Sequence, residues 1–157
     1  MILVYNINAS KKFDMNKTPL PSTYAAGILQ SKAYRALSNF MNAYLQKFDL
    51  SLSEWKLLGL LHESKHLAPS EIAEIIGVKL PIATRLVGQM SAKGLINRSA
   101  ATSDKRMVQV AISPKGRQLA TRLESGLRQE MQGFLSDINR QDLKVYLLVL
   151  GKLAAKL

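Results

Sequence analysis

Two histidines are the side chains of this sequence that most resemble a catalytic or metal-binding pair. His62 and His66 are spaced i, i+4, which on a continuous helix would place two metal ligands on one face. The chain has no cysteine, which excludes disulfides and thiolate metal sites. The helix predicted around His62 ends before His66. We therefore interpret both histidines as surface or half-buried residues, and we expect neither a metal nor another cofactor.

Other catalytic arrangements are equally hard to find in the sequence. There is no glycine-rich phosphate loop, no metal-ligand cluster, and no nucleophile with a base partner at a suggestive spacing. Two histidines and 11 acidic residues leave little material for acid-base chemistry. The sequence therefore predicts that the protein is not an enzyme.

The charge distribution favours a polyanionic partner. The chain of 157 residues carries 22 Lys and Arg against 11 Asp and Glu, a formal net charge of +11. Nucleic acid and an acidic membrane surface are both partners that fit such an excess. The alternative is a soluble protein that is basic but binds no polyanion. Between Ile75 and Leu123, however, every charged side chain except Asp104 is basic. Concentration of positive charge on one stretch is typical of phosphate binding.

Targeting signals are not apparent in the sequence. The N-terminal residues MILVYNINASKK place an apolar run before the charges, which is the wrong order for a signal peptide. No apolar run approaches the length of a membrane span. We therefore expect a cytoplasmic protein that does not bind membranes.

Residues 69–106, which overlap this basic stretch, have the pattern of two short helices followed by a β-hairpin. Pro69 and Pro81 suit the first turn of a helix, and Gly77 and Gly94 suit the positions that end one. Two strands then flank a polar tip. Helix, tight turn, helix and hairpin together make a winged helix-turn-helix, a DNA-reading motif.

Helical and strand periodicity predict which side chains face the interior. The expected set is Trp55, Leu58, Leu61, Ile72, Ala73, Ile75, Ile76, Ala83, Leu86, Val87, Met90, Val108, Val110 and Ile112. On the long helix predicted after the hairpin, the apolar stripe is Leu119, Leu123, Leu127, Phe134 and Ile138.

The whole chain is predicted to be mainly α-helical with a small β-hairpin wing. Residues 51–112 form the winged helix-turn-helix domain, and residues 1–21 form an arm. Residues 1–7 of this arm either pair as a short strand or pack on a partner subunit, and disorder is the alternative. Residues 22–50 and 113–157 supply apolar helical stripes that the central module is too small to cover. We predict that these end regions form the interface of a homodimer. A twofold dimer would present two reading helices about one DNA turn (~34 Å) apart.

Several short motifs resemble those of the MarR (multiple antibiotic resistance regulator) family of bacterial winged helix-turn-helix regulators. They are residues 52–58 (LSEWKLL), 67–73 (LAPSEIA), 84–87 (TRLV), 93–98 (KGLINR), 103–106 (SDKR) and 112–116 (ISPKG). The resemblance implies a homodimer that binds a pseudo-palindromic operator, usually as a repressor. Many members of the family release DNA when a small aromatic or anionic effector binds between the dimerisation and DNA-binding regions, so the resemblance implies such an effector as well.

The chain departs from the family pattern on the surface expected to face the bases. Lys79 stands where Ser is frequent, Ile82 where Thr or Ser is frequent, and Gly88-Gln89 where Asp-Arg is frequent. The operator of this chain cannot therefore be carried over from relatives. The departures also leave room for an alternative, a winged-helix protein-interaction module that no longer reads DNA specifically.

Eleven residues are predicted to contact DNA or to support such contacts. They are Ser70, Lys79, Pro81, Ile82, Thr84, Arg85, Gln89, Arg98, Asp104, Lys105 and Arg106. Arg106 would enter the minor groove with Asp104 holding it in position. Arg85 would bind guanine or a phosphate, Gln89 would read adenine, and Ile82 would contact a thymine methyl. The remaining polar residues would bind phosphates, and a solvated surface role is the alternative for each.

The tyrosines of the helical end regions have two interpretations. Tyr24, Tyr34 and Tyr44, together with Tyr146, would either line an effector pocket or pack at the dimer interface.

Overall fold

The computed structural model describes residues 23–100 and 108–156 of the chain. These residues belong to two compact units, Met1–Phe48 and Asp49–Leu157. In the first unit, the described part is one helix, α1 (Thr23–Gln46). Its exposed residues include Tyr24, Ile28 and Tyr34, so an apolar surface lies open along this helix. The predicted arm, residues 1–21, lies outside the described residues.

The second unit has the predicted order of helix-turn-helix, hairpin and two further helices. Its elements are α2 (Leu52–Glu63), α3 (Pro69–Ile76), α4 (Leu80–Ala92), β1 (Ile96–Ala100), β2 (Val108–Ile112), α5 (Pro114–Phe134) and α6 (Arg140–Ala154).

Local capping groups determine where these helices begin. Ser51 caps α2 and forms a capping box with Glu54, in which each side chain binds the other residue's backbone amide. Ser113 caps α5 by accepting a hydrogen bond from the Gly116 amide at 2.9 Å. Asn139 caps α6 in the same way, through the Asp142 amide. These starts agree with the sequence prediction because capping depends on residues within one turn.

The turn between α3 and α4 depends on a left-handed residue. Gly77 has φ 76° and ψ 42°, a conformation that a side chain would disfavour. Its amide and that of Val78 both donate to the Ala73 carbonyl, at 3.0 and 2.9 Å. The chain therefore leaves α3 abruptly and begins α4 three residues later, which gives the tight helix-turn-helix.

The two strands pair antiparallel, from Ile96 opposite Ile112 to Ala100 opposite Val108. A third segment joins this sheet through an isolated bridge between Leu67 and Val110, with backbone hydrogen bonds of 3.0 and 2.9 Å. The contact is a single bridge. It attaches the hairpin to the loop between α2 and α3.

The core of the second unit is formed by α2, α3, α4, α5 and the hairpin. Its buried side chains include Leu57, Leu58, Leu61, Ile72, Ala83, Leu86, Val87, Met90, Ile96, Val110, Ile112, Leu123 and Leu127.

Several residues that were predicted to face inward are not buried. Ile75 is 59% exposed. Trp55, Ile76 and Val108 are half-buried. The prediction was therefore wrong about burial at these positions, although it was right about the helices and strands that carry them. On the helix after the hairpin, Leu119 and Phe134 lie on the predicted stripe, but α5 ends at Phe134, so Ile138 lies between α5 and α6 and not on the long helix.

None of the helices within the two described ranges combines the length and hydropathy that a bilayer span requires.

Candidate nucleic-acid interface

Helix α4 has one buried face and one free face, as its sequence pattern predicted. Ala83, Leu86, Val87 and Met90 are buried. The opposite face exposes Pro81, Ile82, Thr84, Arg85 and Gln89. A helix anchored in this way can enter a major groove without disturbing the core that holds it.

A small cavity of about 160 Å³ lies beside this face. It brings together the predicted readers Ile82, Arg85 and Gln89 with Ser51 and Ser53 from the start of α2. The two serines were not predicted as site residues. Their position at the N-terminus of a helix, where the helix dipole favours phosphate, is the pattern that could have identified them.

The first turn of α4 has few polar groups to offer. Its N-cap, Lys79, makes no side-chain capping bond, and Pro81 has no amide hydrogen. The Thr84 hydroxyl donates to the Leu80 carbonyl at 3.0 Å. Leu80 itself is 50% exposed and Ile82 is 44% exposed. Leu80 was absent from the predicted site.

The predicted phosphate contacts Ser70, Lys79 and Arg98 are all exposed. Ser70 lies in the first turn of α3, Lys79 directly precedes α4, and Arg98 lies in β1. Asp104, Lys105 and Arg106 lie outside the described residues.

An ion-pair cluster connects the C-terminal end of α4 to the start of α2. The Lys93 ammonium lies 3.0 Å from the Glu54 carboxylate and 3.2 Å from that of Asp49. The same Glu54 carboxylate accepts hydrogen bonds of 2.8 Å from both the amide and the hydroxyl of Ser51. Glu54 is buried, so these partners satisfy a charge that would otherwise be costly to remove from water.

The pKa values of this cluster follow from those partners. Burial on its own would raise the pKa of Glu54. Hydrogen bonds from the Ser51 amide, Lys93 and the Ser51 hydroxyl outweigh burial and lower the pKa below its ordinary value. For Lys93, burial would lower the pKa, but hydrogen bonds to Glu54 and Asp49 raise it. Both groups therefore stay charged around neutral pH.

The start of α5 holds the turn that follows α4. Lys115 Nζ donates to the Lys93 carbonyl at 2.8 Å, and Ser113 Oγ donates to the Gly94 carbonyl at 2.8 Å. The Ser113 amide donates to the Leu95 carbonyl at 3.0 Å. A Cβ added at Gly116 would lie 2.0 Å from that same Leu95 oxygen, so only glycine permits this approach.

A larger cavity of about 690 Å³ lies between α2, α3 and α5. Its lining includes Trp55, His62 and Arg128, and the Arg128 guanidinium pairs with Glu124. Within the described residues, His62 Nδ1 is a buried polar atom without a hydrogen-bond partner. His66 is exposed, and the described part of the chain holds no cluster of three or more His, Cys, Asp or Glu suited to a metal.

The tyrosines predicted for an effector pocket line neither of these cavities. Tyr24 and Tyr34 are exposed on α1. Tyr44 packs against Phe48, with ring centroids 5.4 Å apart. Their role in effector binding stays a prediction.

Comparison with known proteins shows a similarity to regulators of the MarR family. The MarR family model matches residues 50–108. The chain is 32% identical over 92 residues to the HTH-type transcriptional repressor IacR of Pseudomonas putida. That alignment covers 59% of this chain and 55% of IacR, so the chain matches only about half the length of this curated relative.

Solved structures extend the likeness beyond the matched domain. The transcriptional regulator BldR of Sulfolobus solfataricus is 27% identical, with TM-score 0.76 over 85% of this chain and 95% of that chain. A mutant MarR of E. coli complexed with operator DNA is 20% identical, with TM-score 0.75 over 82% and 93% of the two chains. BpsR of Bordetella bronchiseptica, whose DNA binding is regulated by 6-hydroxynicotinic acid, is 18% identical, with TM-score 0.76 over 87% and 98%.

The likenesses to MarR and BpsR support the fold alone. Together with the likeness to BldR, they establish a winged helix fold of the MarR type. IacR is named as a repressor and BldR as a regulator of transcription, and neither is named as an enzyme. The motifs, the fold and the match over residues 50–108 agree, and in these respects this chain is similar to regulators of the MarR family.

Proposed function

We propose that this protein is a cytoplasmic, sequence-specific DNA-binding transcription regulator. The observation that carries the proposal is the division of α4 into a buried apolar face and an exposed face with Ile82, Arg85 and Gln89. The basic character of residues 75–123, in which Asp104 is the one acid, adds the phosphate affinity that DNA binding requires.

In this proposal α4 enters the major groove. Arg85 donates to guanine or to a phosphate, and Gln89 pairs with adenine. Ser70, Lys79 and Arg98 bind phosphates and fix the position of the helix. From the sequence, Arg106 of the wing enters the minor groove, supported by Asp104 and Lys105.

The proposal includes a homodimer on a pseudo-palindromic operator. Its support is α6, on which Tyr146, Leu147, Leu150 and Leu153 are exposed and, at spacings of i, i+1, i+4 and i+7, share one face. A contiguous apolar surface of this kind marks an interaction site. Twofold pairing would double the number of phosphate contacts and give the operator its symmetry.

We further propose that the protein is a repressor released by a small aromatic acid. IacR is named a repressor, and the DNA binding of BpsR is regulated by 6-hydroxynicotinic acid. The cavity beside Trp55 and His62 is large enough for a ligand of that size. Because Trp55 is the single tryptophan of the chain, its fluorescence reports on this cavity directly. Quenching by 6-hydroxynicotinic acid together with release of DNA would support the effector. No change in either would remove it.

Fluorescence anisotropy tests the DNA-binding proposal. The protein is titrated onto a labelled duplex from the region upstream of its own gene and onto a scrambled duplex of equal length. We expect tighter binding to the upstream duplex, with affinity falling steeply as salt rises. Arg85→Ala and Arg106→Ala should weaken the specific complex, whereas Lys144→Ala, which removes one positive charge from α6, should not. Equal affinity for both duplexes would contradict the proposal.

A second candidate function is a winged-helix module that binds another protein. The exposed Leu80 and Ile82 favour it, since apolar side chains at the start of α4 suit a protein surface. Under this alternative, the upstream and scrambled duplexes bind equally, and substitutions at Leu80 or Ile82 leave the weak binding to DNA unchanged.

A further inference from the structure

The start of α4 differs chemically from the rest of its exposed face. Leu80 and Ile82 expose about half of their surface, and Pro81 lies exposed between them. Arg85 and Gln89 follow one and two turns later. The free face is therefore apolar at its N-terminal end and polar further along.

The groups in this first turn that could donate hydrogen bonds to bases are mostly occupied. The amides of Ile82 and Ala83 donate to the Lys79 carbonyl, at 2.9 and 3.2 Å. The Thr84 hydroxyl donates to the Leu80 carbonyl at 3.0 Å, and Pro81 has no amide hydrogen. With its hydrogen committed to the backbone, the Thr84 hydroxyl is no longer a donor for a base edge.

In helix-turn-helix proteins, the N-terminal residues of the second helix are the ones that contact base edges. The major groove offers one apolar feature to such residues, the C5-methyl group of thymine. Cytosine lacks this methyl group at the same position, and 5-methylcytosine restores it. An apolar first turn can thus distinguish pyrimidines by the presence of the methyl group alone.

We propose that Leu80, Ile82 and the Thr84 methyl form a C5-methyl-reading patch, and that Leu80 is a specificity-determining residue. The proposal rests on the DNA-binding function proposed above. It predicts that the half-site contains thymines opposite this turn, and that 5-methylcytosine substitutes for thymine there better than cytosine does.

The test uses pairs of duplexes that differ by one methyl group. A bound sequence is first selected from random duplex DNA, and each thymine of a half-site is then replaced by deoxyuridine. Independently, cytosine and 5-methylcytosine are compared at the same positions. At the positions read by the patch, loss of the methyl should weaken binding about fourfold, the effect of burying one methyl-sized group. Methylating cytosine should strengthen binding by a similar factor.

Variants of the patch residues test whether the effect of the methyl group on binding depends on these side chains. Leu80→Ala and Ile82→Ala should reduce the thymine-to-uracil ratio towards one, because the side chain that contacts the methyl is gone. Ile75→Ala is the matched control, since it removes an equally exposed apolar side chain from the neighbouring helix α3. It should leave the ratio unchanged. Thermal melting confirms that all three variants are folded.

The outcomes separate the two proposals. If selection yields no preferred duplex, the DNA-reading function fails and this inference fails with it. If a preferred duplex binds equally with thymine and uracil at every position, the methyl patch alone is wrong. A ratio that persists unchanged in both Leu80→Ala and Ile82→Ala would show that other residues read the methyl groups, and would also overturn the proposal.

Discussion

Helices α4 and α6 are similar in length and both carry apolar stripes, yet only one of the stripes is covered. Helix α4 buries four side chains, whereas α6, all of whose residues are described, buries none. The apolar stripe of α4 completes the core of the second unit. The opposite face of the helix, which is partly apolar and partly polar, stays free for a partner. The stripe of α6 is itself the free surface. Periodicity identifies an apolar stripe, but it does not tell whether the same chain or another one covers it.

The largest expected effect comes from placing charge on the free stripe of α6. Leu147 is 65% exposed and Leu150 lies one turn later on the same helix. In a dimer that buries them, Leu147→Glu with Leu150→Glu should cost several kcal/mol, weakening self-association roughly 1,000-fold or more. Sedimentation velocity over a concentration series measures the change.

Lys144→Glu is the control for this experiment, because it adds negative charge to an exposed polar position of α6. Unaltered dimerisation of the double variant would show that α6 is not the interface, and a monomeric wild-type protein would remove the dimer altogether.

The next largest effect should follow from breaking the support of α4. In Gly116→Ala the new methyl would lie 2.0 Å from the Leu95 carbonyl oxygen, and backbone atoms cannot easily move away. We expect the free energy of unfolding to fall by about 3 kcal/mol, the upper range for overpacking. Urea denaturation measures it.

Gly133→Ala provides the comparison in the same helix, since a Cβ there meets nothing within 4 Å. It should be neutral or slightly stabilising. Equal stability of the two variants would contradict the close approach of α5 to Leu95.

A smaller effect, confined to binding, is expected on the free face of α4. Arg85→Ala should weaken the specific complex by about 2 kcal/mol, or roughly 30-fold, if the guanidinium pairs with guanine. Its melting temperature should match that of the wild type, because the side chain is exposed. Anisotropy with a panel of half-site variants checks this prediction. Unchanged affinity together with unchanged base preference would exclude Arg85 as a reader.

The smallest effect concerns the Glu54–Lys93 pair. Glu54→Gln should lower the free energy of unfolding by about 1 kcal/mol at neutral pH, since a charged hydrogen-bond acceptor is lost from a buried position. Because the pKa of Glu54 is lowered in the folded state, its carboxylate stabilises the fold at pH values above the ordinary pKa that the group has in the unfolded chain. That stabilisation disappears as the pH falls through the folded pKa.

The variant should therefore lose less stability than the wild type between neutral and acidic pH. Urea denaturation at pH 7 and at decreasing pH below 4 gives the comparison. Glu74→Gln, which removes a negative charge from an exposed position of α3, should retain the acid sensitivity of the wild type. If Glu54→Gln and the wild type lose stability in parallel, Glu54 is not a source of the acid dependence.

The sequence was informative wherever structure depends on near neighbours. Pro69 and Pro81 indicated helix starts because proline suits the first turn of a helix whatever lies elsewhere in the chain. The buried and free faces of α4 also followed from its periodicity. The sequence was misleading about Ile75, because burial depends on which distant element lies opposite. No local pattern could reveal that Lys93 pairs with Glu54, 39 positions earlier.

The candidate site was predictable to a similar extent. Arg85 and Gln89 could be assigned to the free face from spacing alone, and the structure brings them together with Ile82 beside one cavity. Ser53 and Leu80 were missed for different reasons. Ser53 joins the site only through the fold of α2 against α4, and Leu80 joins it only through its exposure, which the sequence did not give.

Three consecutive carbonyls, those of Lys93, Gly94 and Leu95, accept hydrogen bonds from the first residues of α5 and its cap. Because Gly116 has no side chain, the backbone of α5 lies directly against the backbone of Leu95. A tilt of α5 would strain these contacts. We therefore expect the end of α4 and the start of β1 to move together with the start of α5.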